Sequence, residues 1–267
     1  MESIRKKAKE LLESKQVQVI IGYENGTSNK ARAAFIKDPA QVDRLIYDER
    51  CTQNLAVYLV KHEVKHQGKM GIVATIPVMR TINMLISEQQ VAPENIVVLG
   101  ISEEGKLLDF PDLTVMESFL QKTKIDISAK DKEAIEKLKK MTLQEKFDYW
   151  TKALETCFKC YACRSACPLC YCTRCAVECN QPQWIPVQAS ANGNYEWHML
   201  RAMHLSGRCV SCGECGRACP LDIPVHLLTM HMAEESKKMF GVDSGLSMKM
   251  DSVLSSYKPE DKDNFIL

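Results

Sequence analysis

Cysteine spacing constrains this chain more than any other feature. Twelve of its thirteen cysteines fall within residues 157–219, and two runs there read alike. The first is Cys157-Phe-Lys-Cys160-Tyr-Ala-Cys163-Arg-Ser-Ala-Cys167-Pro168. The second is Cys209-Val-Ser-Cys212-Gly-Glu-Cys215-Gly-Arg-Ala-Cys219-Pro220. Each is C-x2-C-x2-C-x3-C-P, the spacing that wraps three thiolates around one [4Fe–4S] cube and sends the fourth to a neighbouring cube. The three close cysteines belong to a tight turn, and the fourth is expected on a helix that begins after it. The spacing therefore assigns Cys157, Cys160, Cys163 and Cys219 to one cluster, A. Cluster B takes Cys209, Cys212, Cys215 and Cys167. A disulfide framework, the other use of many cysteines, belongs to short secreted chains and leaves the repeated spacing unexplained.

The rest of the composition narrows the class. A chain of 267 residues with 45% apolar residues can bury one large or two modest cores. A formal net charge of +1 gives no general attraction to nucleic acid or anionic lipid. No apolar stretch approaches the roughly 18–20 residues that span a bilayer. The opening segment, Met1 to Leu12, is charged and helix-like, without the apolar centre of a signal peptide. A soluble cytoplasmic protein is expected.

Pattern divides the chain in two. Residues 1–125 alternate strand and helix: a charged helix, a strand over Val17–Tyr23, a short strand over Ala33–Lys37, and a helix opened by Pro39. A helix over Gln53–His66, a strand over Met70–Ile76, a helix over Pro77–Gln89 and a strand over Asn95–Ile101 follow. That alternation predicts an α/β domain with a mostly parallel sheet. Residues 126–267 read as a mainly helical iron–sulfur domain. Its expected helices lie within Asp126–Leu154, over Asn194–Gly207 with an apolar stripe at Trp197, Leu200, Met203 and Leu205, and over Val225–Met239.

Four further cysteines, Cys170, Cys172, Cys175 and Cys179, form a third group. Four thiols suffice for a third [4Fe–4S] cluster or for zinc, and a helix over Thr173–Asn180 would put Cys172, Cys175 and Cys179 on one face. Buried thiols that merely pack are the alternative, and Cys51, alone after Asp-Glu-Arg, reads that way. Gly213 and Gly216 are expected to let backbone N–H groups approach the second cube. Lys159, Arg164, Arg208 and Arg217 either offset cluster charge or are solvated. His62-Glu63-Val64-Lys65-His66 matches the zinc-protease pattern H-E-x-x-H. Val60 and Val64 read as the inward stripe there, so both histidines fall on a solvated face. No catalytic residue is assigned, and none is identified for binding an organic cofactor.

The cysteine half resembles the α-helical ferredoxin modules of heterodisulfide reductase and succinate dehydrogenase-type subunits. More narrowly, Tyr149-Trp150, Cys160-Tyr-Ala-Cys163, Cys167-Pro-Leu-Cys170-Tyr-Cys172 and Asn180-Gln-Pro-Gln-Trp184 are similar to the iron–sulfur beta subunits of cytosolic formate dehydrogenases and related redox complexes of anaerobes. Gly68–Pro77 and Ile96–Ile101 resemble the α/β domain of the F420-reducing hydrogenase beta-subunit family. That family usually carries a cysteine directly after the proline matching Pro77, whereas Val78 stands here. The resemblance implies an electron-transfer subunit with two or three [4Fe–4S] clusters. Its partners would be catalytic and electron-transfer subunits of formate dehydrogenase, hydrogenase, aldehyde oxidoreductase or heterodisulfide reductase type. The N-terminal half would be a docking scaffold or a degenerate flavin domain. A flavin-containing reductase with FAD in the α/β domain is the alternative.

Overall fold

A computed structural model describes residues 1–123, 127–179 and 181–251, together with 253, 254, 256 and 259. The boundary expected at residues 125 and 126 lies outside the described residues. The first half opens with α1 (Glu2–Glu13), β1 (Val19–Asn25) and β2 (Ala31–Ile36). After 3-10 turns at Pro39–Arg44 and Leu55–Tyr58 come α2 (His62–Lys65), β3 (Met70–Ala74), α3 (Ile76–Ser87), β4 (Ile96–Ile101), β5 (Leu107–Asp109) and α4 (Leu113–Lys122). The second half contributes α5 (Ala129–Lys140), α6 (Leu143–Leu154), α7 (Ala162–Ser165), α8 (Ala191–His204), α9 (Glu214–Arg217) and α10 (Val225–Phe240).

The five strands form one sheet in the order β2-β1-β3-β4-β5. Its three central strands run parallel, and both edge strands pair antiparallel. β3 is buried throughout and β1 nearly so, as strands covered on both faces should be, whereas the edge strand β2 buries only Ala34 and Ile36. The expected α/β half with a mostly parallel sheet, followed by a helical half, is therefore the observed architecture.

Several local expectations are corrected. The helix over Gln53–His66 does not form. The Asn54 side chain accepts from the Ala56 amide and starts a 3-10 turn, and the extended backbone of Lys61 then separates that turn from the short α2. Pro39 opens a 3-10 turn and not an α-helix. The helical stretch before the cysteines breaks at Met141, and α6 restarts on a capping box between Thr142 and Glu145. Residues 173–179 make turns, so no helix face gathers Cys172, Cys175 and Cys179; the end of that expected helix, Asn180, lies outside the described residues. β5 and α4 were not expected. β5 has only three residues, but Asp112 caps α4 by accepting from the Thr114 and Val115 amides, a signal legible in the sequence.

The hydrophobic core of the sheet half takes in Leu169, Leu205 and Val210 from the cysteine half. A second core joins Ile135, Leu138, Trp150, Leu154, Trp197, Ile223 and Leu227 around Cys163 and Cys215. Polar contacts cross from α3 to the second half. Buried Arg80 donates to Asp243 Oδ1 (2.5 Å), to the Ser244 carbonyl (2.9 Å from Nε) and to the Val210 carbonyl (3.4 Å). Asn83 donates to the Gly245 carbonyl at 3.0 Å.

Candidate metal centre

The two cysteine runs fold alike. In each, the residue two positions after the first cysteine has a left-handed backbone, Lys159 (φ 53) and Ser211 (φ 57). The residue four positions after it is left-handed too, Tyr161 (φ 59) and Gly213 (φ 74), and each caps a four-residue helix, α7 or α9. These turns aim an amide at sulfur. The Lys159 N–H donates to Cys157 Sγ and the Ser211 N–H to Cys209 Sγ, both at 3.4 Å. The third cysteine of each run, Cys163 or Cys215, stands on that short helix. The fourth, Cys167 or Cys219, follows its end, so the expected placement of the fourth on a helix after the loop is corrected.

The runs meet across one another. Burial pushes the Cys157 thiol up, and the nearby Cys160 and Cys219 add to the shift. Burial drives Cys163 up to about 11, with Cys157 and Cys160 again among its neighbours. On the other side, Cys167, Cys209, Cys212 and Cys215 line one cavity, floored by Leu205 and Val210. Burial raises Cys212 to about 12 and Cys215 to about 11. Thiols held this high stay protonated at neutral pH unless a cationic centre takes them as thiolates, so loading would release protons. Matching amide-to-sulfur bonds and a four-thiol cavity fit a cubane. Among the described residues, no three His, Cys, Asp or Glu side chains form a single-ion site.

α8 supplies a layer behind these loops that the sequence reading missed. Its expected apolar stripe included Met203, which is exposed. The buried face is Asn194, Trp197, His198, Arg201 and Ala202. Three of these are polar because they answer the backbone and sulfur of the first run. Asn194 Nδ2 donates to the carbonyls of Cys157 (2.7 Å) and Leu154 (3.1 Å). His198 Nε2 lies 3.4 Å from Cys157 Sγ, and burial, with Arg201 and Lys159 adding, drives its pKa down to about 3, so the ring is neutral. Arg201 Nη2 donates to the Cys163 carbonyl at 3.0 Å. Their spacing of three to four residues was legible, but polar residues at those positions read as the solvent face.

The four cations singled out in sequence are all engaged. Arg164 pairs with Glu178 and donates to the Cys172 carbonyl, both at 2.8 Å. Arg217 pairs with Glu214 and donates to the Cys212 carbonyl at 2.7 Å. Arg208 pairs with Glu88 and donates to the Leu169 carbonyl at 3.1 Å. Buried Lys159 donates to the Pro186 carbonyl at 2.5 Å. Gly213 needs its left-handed backbone. Gly216 is required by packing as well, since a Cβ there would run into the His226 ring.

In the third group, Cys170, Cys172 and Cys175 line a cavity with Arg164, Arg201 and Arg208, and Cys179 is not part of its lining. Cys51 is buried and accepts from the Asp48 amide at 3.5 Å, as a packed thiol does. His62, Glu63 and His66 are exposed while Val64 is buried, so the H-E-x-x-H segment presents a solvated face. Among the described residues, no helix is long and apolar enough to cross a membrane.

Comparison with known proteins finds a partial relative. A curated protein from Methanocaldococcus jannaschii, described as F420-dependent formate dehydrogenase subunit beta, is 33% identical over 118 residues. The chain is similar to that subunit in part. The match covers 41% of this chain and 30% of the relative, so the chain spans less than a third of the relative's length. No family model matches the chain.

Proposed function

We propose that this protein is an electron-transfer subunit of an oxidoreductase complex, with the α/β unit at 1–125 as docking scaffold and the helical unit at 126–267 carrying two [4Fe–4S] clusters. Cluster A takes Cys157, Cys160, Cys163 and Cys219; cluster B takes Cys209, Cys212, Cys215 and Cys167. The observation that supports this reading is that the two runs fold alike, with Cys167 lining the cavity of Cys209, Cys212 and Cys215 and Cys219 among the neighbours of Cys157. Cubanes bound there would exchange single electrons. The chain's part is to hold them close together, shield them with Trp197, Leu205 and Val210, and stabilise their charge through amide donors and buried cations.

Exposure supports a relay. Cys160 is exposed, next to exposed Phe158, so cluster A would face a docked partner, whereas Cys215 is buried and Cys212 half-buried against the sheet half. The partial similarity to a formate dehydrogenase beta subunit supports catalytic and electron-transfer subunits of that type as partners, and a cytoplasmic complex is part of the proposal. Cys170, Cys172 and Cys175 are proposed to hold a third metal site, a [4Fe–4S] cluster or zinc, with Cys179 as its fourth thiol.

One observation favours a second reading, a flavin-containing reductase. A cavity opens at the carboxyl ends of β3 and β4, between Tyr47, Thr75, Ile76, Ile101 and the cluster B residue Cys212. Open α/β sheets bind ligands at that edge.

One experiment separates the two. Anaerobically purified protein should be brown, carry about eight iron atoms or more, as two four-iron clusters require, and accept electrons from dithionite. It should show no turnover with formate, hydrogen, aldehydes or nicotinamide nucleotides, and contain no flavin. Iron-free protein would refute the relay, and stoichiometric FAD with steady nucleotide or deazaflavin reduction would establish the reductase.

A further inference from the structure

His62 and His66, far from the cysteine loops in sequence, turn toward one another on α2. Their Nε2 atoms stand 2.8 Å apart, with ring centroids 4.1 Å apart and the rings inclined at 62°. Both rings are exposed. The turn that carries them is fastened by other residues. Val64 is buried, Lys65 Nζ donates to the Gln90 carbonyl at 2.7 Å, and Gln67 Nε2 donates to the Glu63 carbonyl at 2.9 Å. The lysine that lies between the two histidines in sequence is thus engaged at Gln90.

Without an ion, the N–H of one ring donates to the lone pair of the other, and that bond keeps the pair aligned. Moving the shared proton's ring to its other tautomer, with hydrogen on Nδ1, leaves both Nε2 lone pairs open to one ion and releases no net proton. An ion about 2.05 Å from each nitrogen, the ordinary histidine–metal length, would see a pair spaced by 2.8 Å at an angle of about 85°. A tetrahedral ion at that length needs its nitrogens about 3.3 Å apart. Tetragonal and octahedral ions take neighbouring ligands at about 90°, which the observed spacing matches. Among the described residues no third His, Cys, Asp or Glu joins the pair. Water would fill the remaining positions, unlike a catalytic zinc site with its three protein ligands.

We propose that His62 and His66 form a surface chelate for one divalent transition-metal ion of tetragonal or octahedral preference, nickel(II) before zinc(II). Copper(II) shares that geometry but oxidises thiols, so nickel(II) is the probe suited to a cysteine-rich chain. The chelate shares no residue with the cysteine loops, and it stands whether or not clusters bind there.

The test is an anaerobic calorimetric titration of nickel(II) into the full chain, beside His62→Gln and His66→Gln. The unmodified protein should bind one nickel ion that each variant holds about a hundredfold more weakly, the lower end of what linking a second contact adds. Nickel taken by thiols would appear equally in all three proteins and cancel. Binding unchanged in both variants would place the ion elsewhere and overturn the proposal; binding unchanged in one would leave a lone histidine and overturn the chelate. Zinc(II) held more tightly than nickel(II), and lost in the same variants, would overturn the geometry. A second measurement needs no substitution. Paramagnetic nickel should broaden the nuclear magnetic resonance signals of residues 61–67 first, and broadening confined to other residues would overturn the site.

Discussion

Glu88, at the C-terminus of α3, grips Arg208 with both carboxylate oxygens, Oε1 to Nε at 2.5 Å and Oε2 to Nη2 at 2.9 Å. The same carboxylate accepts from Tyr171 Oη at 2.9 Å, and the Arg208 guanidinium stands 5.3 Å from the centre of the Tyr171 ring. Arg208 directly precedes Cys209, and Tyr171 directly follows Cys170. One side chain of the sheet half therefore fastens two separate cysteine segments of the helical half.

Glu88→Gln should consequently loosen the junction and not the sheet. Removing a charged acceptor that is largely shielded from water costs about 2 kcal/mol. For a chain of this size that lowers the thermal midpoint by about 5 °C, measurable by anaerobic calorimetry. A midpoint within 1 °C or so of the unmodified protein, well below the 2–4 °C expected per kcal/mol, would show that the pair contributes nothing.

Exchange of the fourth ligands makes a specific prediction for Cys219→Ser. The cluster of Cys157, Cys160 and Cys163 should be damaged, although Cys219 sits in sequence beside Cys209, Cys212 and Cys215. Electron paramagnetic resonance of the dithionite-reduced variant distinguishes the two signals. Loss from the second quartet instead would mean that each run serves its own cluster.

Joint replacement of Cys172 and Cys175 by serine tests the third group. Metal beyond two clusters, about four further iron atoms or one zinc, should disappear while the two-cluster signal stays. Elemental analysis decides it, and an unchanged metal content would reduce these thiols to packing.

Gly245→Ala should destabilise the segment that closes over α3. Gly245 has φ +83, and a Cβ there would meet the Arg80 carbonyl. A left-handed non-glycine residue costs about 1–3 kcal/mol before the clash is added. The loss should show as faster amide exchange across residues 243–246, where the Gly245 carbonyl accepts from the Asn83 side chain.

Strand and helix alternation in the first half was readable, because β1, β3 and β4 are short stretches built around Val and Ile that bury almost every residue. Boundaries failed where a side chain rewrote the backbone locally. At Asn54 an amide cap outcompeted the apolar periodicity and produced a 3-10 turn; at residues 173–179 turns replaced an expected helix. The polar face of α8 was unreadable for a different reason. Asn194, His198 and Arg201 face inward only because the Cys157 and Cys163 carbonyls and the Cys157 sulfur wait there.

By itself the sequence determined the local shape of each cysteine run. Spacing of two, two and three residues leads the chain through the same pair of left-handed residues and the same four-residue helix in both runs. Backbone sterics over a dozen residues suffice for that. Only the tertiary structure decided what surrounds those runs: Glu88 reaching Arg208 from 120 positions away, and Arg201 donating to the Cys163 carbonyl from 38 positions away. Such partners are chosen by the packing of α3 and α8 against the loops, and no local spacing encodes which distant side chain will fill a charged gap.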